Sequence, residues 1–110
     1  FSNVMNPADY EKFPSFDADA RQRSWNLWGY IDARDGANAI RLALETSRPG
    51  YDVFNIFAGD TVMTRPNAEL VAEVFPDVEI RGELGVNTSL TSTAKAERLL
   101  GWVPQHSWRD

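Results

Sequence analysis

The run Lys95-Ala96-Glu97-Arg98-Leu99-Leu100-Gly101-Trp102-Val103-Pro104 constrains the fold most, because it can only be a short helix with a hard stop. Ser92 is placed to act as its N-cap, offering a hydroxyl to the free N–H groups of the first turn. Ala96, Leu99 and Leu100 recur at helical spacing and give one apolar face. Gly101 supplies the left-handed residue that ends a helix, and Pro104 forbids its resumption. Trp102 is left as a large apolar anchor just beyond the cap.

Upstream, the same punctuation divides the chain. Residues 1–5 read as a strand that Asn6-Pro7 breaks. Residues 8–24 are polar and aromatic without a period, with Pro14 in the middle, and are expected to be an irregular excursion holding one helical turn at most. Residues 25–31 alternate as a strand, with Gly29 at a bulge or close approach. Asp35 is expected to cap a helix running to Ser47 with Ala37, Ile40, Ala43 and Leu44 inward. Tyr51 to Ala58 is rich in β-formers and is the strongest strand expectation. Pro66 suits the first turn of a further helix carrying Leu70, Val71, Val74 and Phe75. Val78-Glu79-Ile80 reads as a short strand, and 81–91 as loop. The order is strand, loop, strand-helix-strand-helix-strand, loop, helix: an α/β piece with few strands and about three helices, too few for a complete doubly wound sheet.

With 110 residues the chain forms one domain, 1–110, burying roughly 65% of its unfolded surface. A net charge of −5 with scattered basic residues argues against a nucleic-acid partner. No apolar run reaches membrane-spanning length, so no membrane partner is expected. The absence of Cys removes thiolate chemistry and fits a cytoplasmic protein, and a single His excludes a His-based zinc cluster. No metal site is expected. The chain opens directly into Phe1-Ser2-Asn3-Val4-Met5, which reads as a strand already under way and suggests a piece of a longer protein.

Four segments, in order, carry a resemblance. The helix end K-A-x-x-x-L-G-W-x-P with the tail Gln105-His106-Ser107-Trp108-Arg109 resembles the C-terminus of the extended short-chain dehydrogenase/reductases, the NAD-dependent epimerase/dehydratase group. Asn3-Val4-Met5-Asn6-Pro7 is similar to that family's N-V-Y-G-P segment. Tyr30-Ile31-Asp32-Ala33-Arg34-Asp35 resembles its Y-[IV]-H-V-x-D segment, with Asp32 in place of the usual His. Arg81-Gly82-Glu83 resembles an Arg-Pro-Gly-Asp segment ahead of the last helix. The resemblance implies a Rossmann-type α/β fold, of which this chain is the C-terminal, substrate-binding portion without the dinucleotide-binding portion.

It also implies roles. Asn3, Trp28, Tyr30, Arg34 and Arg81 are the candidate substrate contacts, and Ser2 and Val4 border the cofactor. Trp28 stands where sugar epimerases of the family place a phosphate-gripping Arg, which argues against a standard UDP-sugar. No catalytic residue is expected within the chain. Among Gly29, Gly36, Gly50, Gly59, Gly82, Gly85 and Gly101 only Gly82 and Gly85 have GxxG spacing, in a loop setting, so the dinucleotide fingerprint is missing. Tyr10, Tyr30 and Tyr51 are followed four residues later by Pro14, Arg34 and Asn55, so the family's Tyr-x-x-x-Lys is missing too. The implied parent is an NAD(P)-dependent epimerase, dehydratase or reductase acting on a sugar-like or nucleotide-sugar-like small molecule. It would bind NAD or NADP, which this chain alone would not. The alternative is a non-catalytic binding or redox-sensor module of the same fold.

Overall fold

The computed structural model describes residues 1–110. Its elements are strand β1 (Asn3–Met5), a 3-10 helix (Pro7–Ala18), a second 3-10 helix (Ala20–Asn26), strand β2 (Tyr30–Asp32), and helices α1 (Ala33–Glu45), α2 (Asn67–Val74) and α3 (Ala94–Leu100). β1 and β2 pair in parallel with Asn3 opposite Tyr30, Val4 opposite Ile31 and Met5 opposite Asp32. The fold is α/β, as the element order predicts: two parallel strands and five helices, of a kind that fits part of a Rossmann-like sheet.

Side chains on a strand alternate between faces, and β2 uses this to divide the core. Tyr30 enters a cluster with Phe13, Ala20, Trp28, Ala58, Val62, Met63, Leu70 and Val71. Ile31 enters a second cluster with Ala39, Ile56, Ala96, Leu100 and Trp102. Trp102 is fully enclosed, and its Nε1 donates to the Asp35 carbonyl at 3.0 Å. Gly101 stands at φ 66° and closes α3 as its position requires.

Several expected elements differ. Residues 8–24 are two 3-10 helices, the first capped by Asn6, whose side chain accepts from Ala8 while Asp9 reaches back to the Asn6 N–H. A 3-10 helix bonds only from i to i+3 and leaves no 3.6-residue apolar signature. The strand expected over 25–31 is confined to its end. Leu27 and Trp28 adopt left-handed backbone, φ 53° and 58°, which breaks the extended run and turns Trp28 inward. The cap of α1 is Asp32, whose Oδ1 accepts from the Arg34 N–H at 2.8 Å, so the helix starts earlier than expected and places Asp35 in its first turn. At α3 the Ser92 hydroxyl accepts only a long 3.4 Å bond from Ala94, and the cap position falls to Thr93.

Two corrections share a cause. Tyr51–Ala58 forms no strand and joins no ladder. One bond, from the Ala58 N–H to the Tyr30 carbonyl at 2.7 Å, ties it to the sheet. Val78–Ile80 is likewise unpaired. A strand is defined by its neighbour, and the chain supplies none to either run. The apolar stripe of α1 faces outward, not inward: Leu44 is 83% exposed and Ile40 half exposed, while Asp35, Gly36 and Ala39 are buried. With Phe1, Phe54, Ile56, Ala43 and Leu100, Ile40 lines a shallow, wholly apolar groove of about 160 Å³. No helix is long and apolar enough to cross a membrane.

Candidate ligand-binding surface

The strand ends present the first cluster of functional groups. Asp32 has no exposed surface. Its Oδ1 accepts from Arg34 Nε and its Oδ2 from Arg34 Nη2, both at 2.8 Å, and Oδ2 also accepts from the Tyr10 hydroxyl. The Arg34 guanidinium holds the carboxyl below the ordinary carboxylate range, with the Tyr10 bond adding to this against the opposing effect of burial. Burial and then the Asp32 charge push the Tyr10 hydroxyl upward. Asn3 lies half-buried on β1 opposite Tyr30, and Val4 is exposed beside it. Ser2 donates to the Gly29 carbonyl at 3.3 Å and accepts from Asn26 Nδ2 at 2.5 Å.

A second cluster joins β2 to the C-terminal tail. The Tyr30 hydroxyl donates to Asp60 Oδ1 at 2.8 Å and accepts from the Trp108 N–H at 3.0 Å. Burial raises its proton affinity above that of an ordinary tyrosine. Ser107 Oγ donates to Asp60 Oδ2 at 2.7 Å, and Arg109 Nη1 to the same oxygen at 2.5 Å. Beside it, His106 Nδ1 meets Asp35 Oδ1 at 2.8 Å. Asp60, Gln105, His106, Ser107 and Asp110 line an open polar cleft of about 330 Å³. The Ser107 hydroxyl bonds to a carboxylate and not to the imidazole, so the His and Ser do not form a nucleophile–base pair. No group of three or more His, Asp or Glu side chains is placed to hold a metal ion.

A third feature lies between α2 and the loop after it. Leu27, Val71, Phe75, Val78, Ile80, Leu84 and Leu90 line an apolar cleft of about 330 Å³ with Glu79 and Arg81 at its rim. Arg81 is 86% exposed and touches Glu79 only at 3.4 Å, so its charge is free to meet a ligand. Trp28 lies behind this cleft. Its ring packs edge-on against Phe75 at 5.9 Å, and its Nε1 donates to the Ala20 carbonyl at 2.7 Å.

The candidate residues therefore fall at separate places. Asn3 and Val4 sit on β1, with Ser2 just before it and Arg34 at the strand end, while Arg81 stands at the apolar cleft. Trp28 and Tyr30 have no exposed surface within this chain. The sequence offered no sign of the Tyr10–Asp32 bond, because its partners come from a 3-10 helix and a strand 22 positions apart. Asp60 and His106 were equally unmarked. A carboxylate at a turn and a lone His in a tail carry no spacing signal until the fold joins them.

No known family matches the chain when its sequence is scanned against family descriptions, and no solved structure matches it. One curated protein does: UDP-glucose 4-epimerase of Corynebacterium glutamicum is 33% identical over 84 residues, taking in 71% of this chain and 26% of the enzyme. The chain thus spans about a quarter of that relative's length. Sequence similarity and α/β architecture together relate this chain to nucleotide-sugar epimerases.

Proposed function

We propose that the chain is the C-terminal, substrate-holding portion of an NAD(P)-dependent epimerase, dehydratase or reductase of a sugar-like or nucleotide-sugar-like substrate. The similarity to UDP-glucose 4-epimerase carries this reading. The uncovered apolar groove along α1 and the unpaired Tyr51–Ala58 run support it, since both suit a chain that packs against a larger sheet. In this reading the parent passes a hydride between substrate carbon and nicotinamide. Asn3, Arg34 and Arg81 hold the substrate here, the exposed β1 edge with Ser2 and Val4 meets the cofactor side, and Trp28 and Tyr30 fix the walls from behind. No hydride or proton step is assigned to this chain, which by itself is inactive.

The test is to read the coding region upstream of Phe1. A strand followed by a Gly-rich turn, and a Tyr-x-x-x-Lys further on, support the enzyme reading. A Gly-rich turn without the Tyr and Lys overturns it in favour of a sensor.

A further inference from the structure

We infer that the cleft between α2 and the loop after it is a binding site for an uncharged, apolar ring compound. The inference goes beyond the epimerase reading and does not depend on it, because every residue of the cleft belongs to this chain. The cleft holds about 330 Å³, within the range of roughly 300–1,000 Å³ in which small molecules are held. Volume alone does not choose it, since the polar cleft beside His106 is as large. That second cleft has no hydrophobic lining, and the apolar groove along α1, at about 160 Å³, is too small. The cleft at α2 alone joins sufficient volume to an apolar wall.

The walls are fixed by the fold. Leu27 enters the cleft from left-handed backbone at φ 53°, followed by Trp28 at φ 58°. Glycine takes that conformation without strain and leucine does not, so what the position gains is a side chain in the wall. The turn is pinned at both ends. The Leu27 and Trp28 N–H groups donate to the Ser24 and Arg23 carbonyls, each at 3.0 Å, and the Trp28 carbonyl accepts from the Val62 N–H at 2.9 Å. The Trp28 ring in turn braces Phe75 edge-on. The loop wall is held by Asn67, which is fully buried. Its Nδ2 donates to the Leu84 carbonyl at 2.9 Å and the Thr88 carbonyl at 2.8 Å, and its backbone N–H to the Val86 carbonyl at 2.7 Å. Walls set before a ligand arrives lower the ordering cost of binding it.

The lining selects the chemistry of the ligand. Seven of the nine lining residues are apolar. The two charged ones, Glu79 and Arg81, are of opposite sign and pair with each other at 3.4 Å on the rim. A nucleobase is read by hydrogen bonds to its edges, and the apolar wall carries no side-chain donor or acceptor for them. An ion entering the cleft would lose water with nothing fixed to replace it. An apolar ring gains from the same wall, by burial and by packing on the Phe75 ring. Val78 and Ile80, 60% and 51% exposed, are the side chains it would cover.

The experiment follows the methyl resonances of Val71, Leu84 and Leu90 while the chain is titrated with 2-naphthol, an uncharged two-ring probe, and separately with uridine and 2-naphthoate. The expected result for 2-naphthol is a saturable shift with Kd at or below about 1 mM, with ring-to-methyl NOEs. Uridine gives no response, and 2-naphthoate binds no more than about threefold tighter than 2-naphthol. Ile80→Asp at the rim weakens 2-naphthol by about fivefold or more. Ile40→Glu in the α1 groove changes it by less than about twofold. Both side chains are half exposed, so both variants keep the fold. Methyl signals that stay fixed to about 5 mM 2-naphthol overturn the inference, as does an equal response to uridine or a preference for 2-naphthoate beyond about threefold. A loss in Ile40→Glu that matches Ile80→Asp overturns it too. So do shifts that grow with protein concentration when no ligand is present, which would place a second copy over the cleft. None of these outcomes bears on the epimerase reading, which the upstream motifs judge.

Discussion

Asp35 and His106 lie 71 positions apart, and their side chains meet at 2.8 Å. The second carboxylate oxygen of Asp35 accepts the N–H groups of Gln105 and His106, each at 2.9 Å, and its backbone carbonyl receives Trp102 Nε1 at 3.0 Å. One residue in the first turn of α1 thus fixes the path of the chain out of α3. The tail beyond it then docks through Trp108, whose ring packs on Phe13 at 5.4 Å and whose Nε1 donates to the Thr61 carbonyl at 2.8 Å.

Asp35→Ala leaves two half-buried backbone N–H groups without an acceptor, so it lowers unfolding free energy by about 2–4 kcal/mol. His106→Ala removes one half-exposed contact and costs about 1 kcal/mol or less. Urea denaturation of the two variants separates them, and equal losses would contradict the anchoring role of Asp35.

Acid dependence follows from Asp32. Its carboxyl is held below the ordinary range in the folded chain, by Arg34 above all. The unfolded chain therefore takes up the proton first as pH falls, and the stabilisation is present above about pH 4 and drains away below it. Stability measured from pH 6 down to pH 2 falls with this slope in the wild type and less steeply in Asp32→Asn. Parallel curves would show that Asp32 does not contribute the slope.

The parts of the fold legible in the sequence are those set by local chemistry. Gly101, Trp102 and Pro104 close α3 where their residue types demand, and the apolar spacing of Leu70 and Val71 marks the buried face of α2. What escaped depends on partners. Tyr51–Ala58 has the composition of a strand but no neighbour to pair with, and α1 has an amphipathic stripe with nothing over it. Asp32 and Asp35 are both good capping residues, and local sequence does not say which one turns away from the helix, so residue type alone does not fix where α1 starts. The site was legible only as single residues. The Asp32–Arg34 pair is local, but the enclosure of Asp32 and its bond from Tyr10, 22 positions away, have no sequence signature.

Gly29 is fixed by its neighbours. A Cβ there would stand 2.7 Å from Phe57 Cδ1 and 3.1 Å from the Asn26 carbonyl oxygen. Gly29→Ala therefore displaces the half-buried Phe57 ring and costs about 1–3 kcal/mol. Gly101→Ala meets no atom within 4 Å but pays for left-handed backbone, about 1 kcal/mol. Thermal unfolding of both variants should rank Gly29→Ala as the less stable.

The outward stripe of α1 makes an opposite prediction. Leu44→Glu changes the stability of the 110-residue chain by no more than about 0.5 kcal/mol, because little is buried there. Unfolding of the variant would show that this face is already covered.

Calorimetric titration with NAD compares the 110-residue chain with a form extended by whatever its coding region encodes upstream of Phe1. If the chain is the substrate-holding portion of a larger enzyme, the longer form binds or retains the nucleotide and the 110-residue chain alone does not. Micromolar binding by the 110-residue chain alone would contradict it.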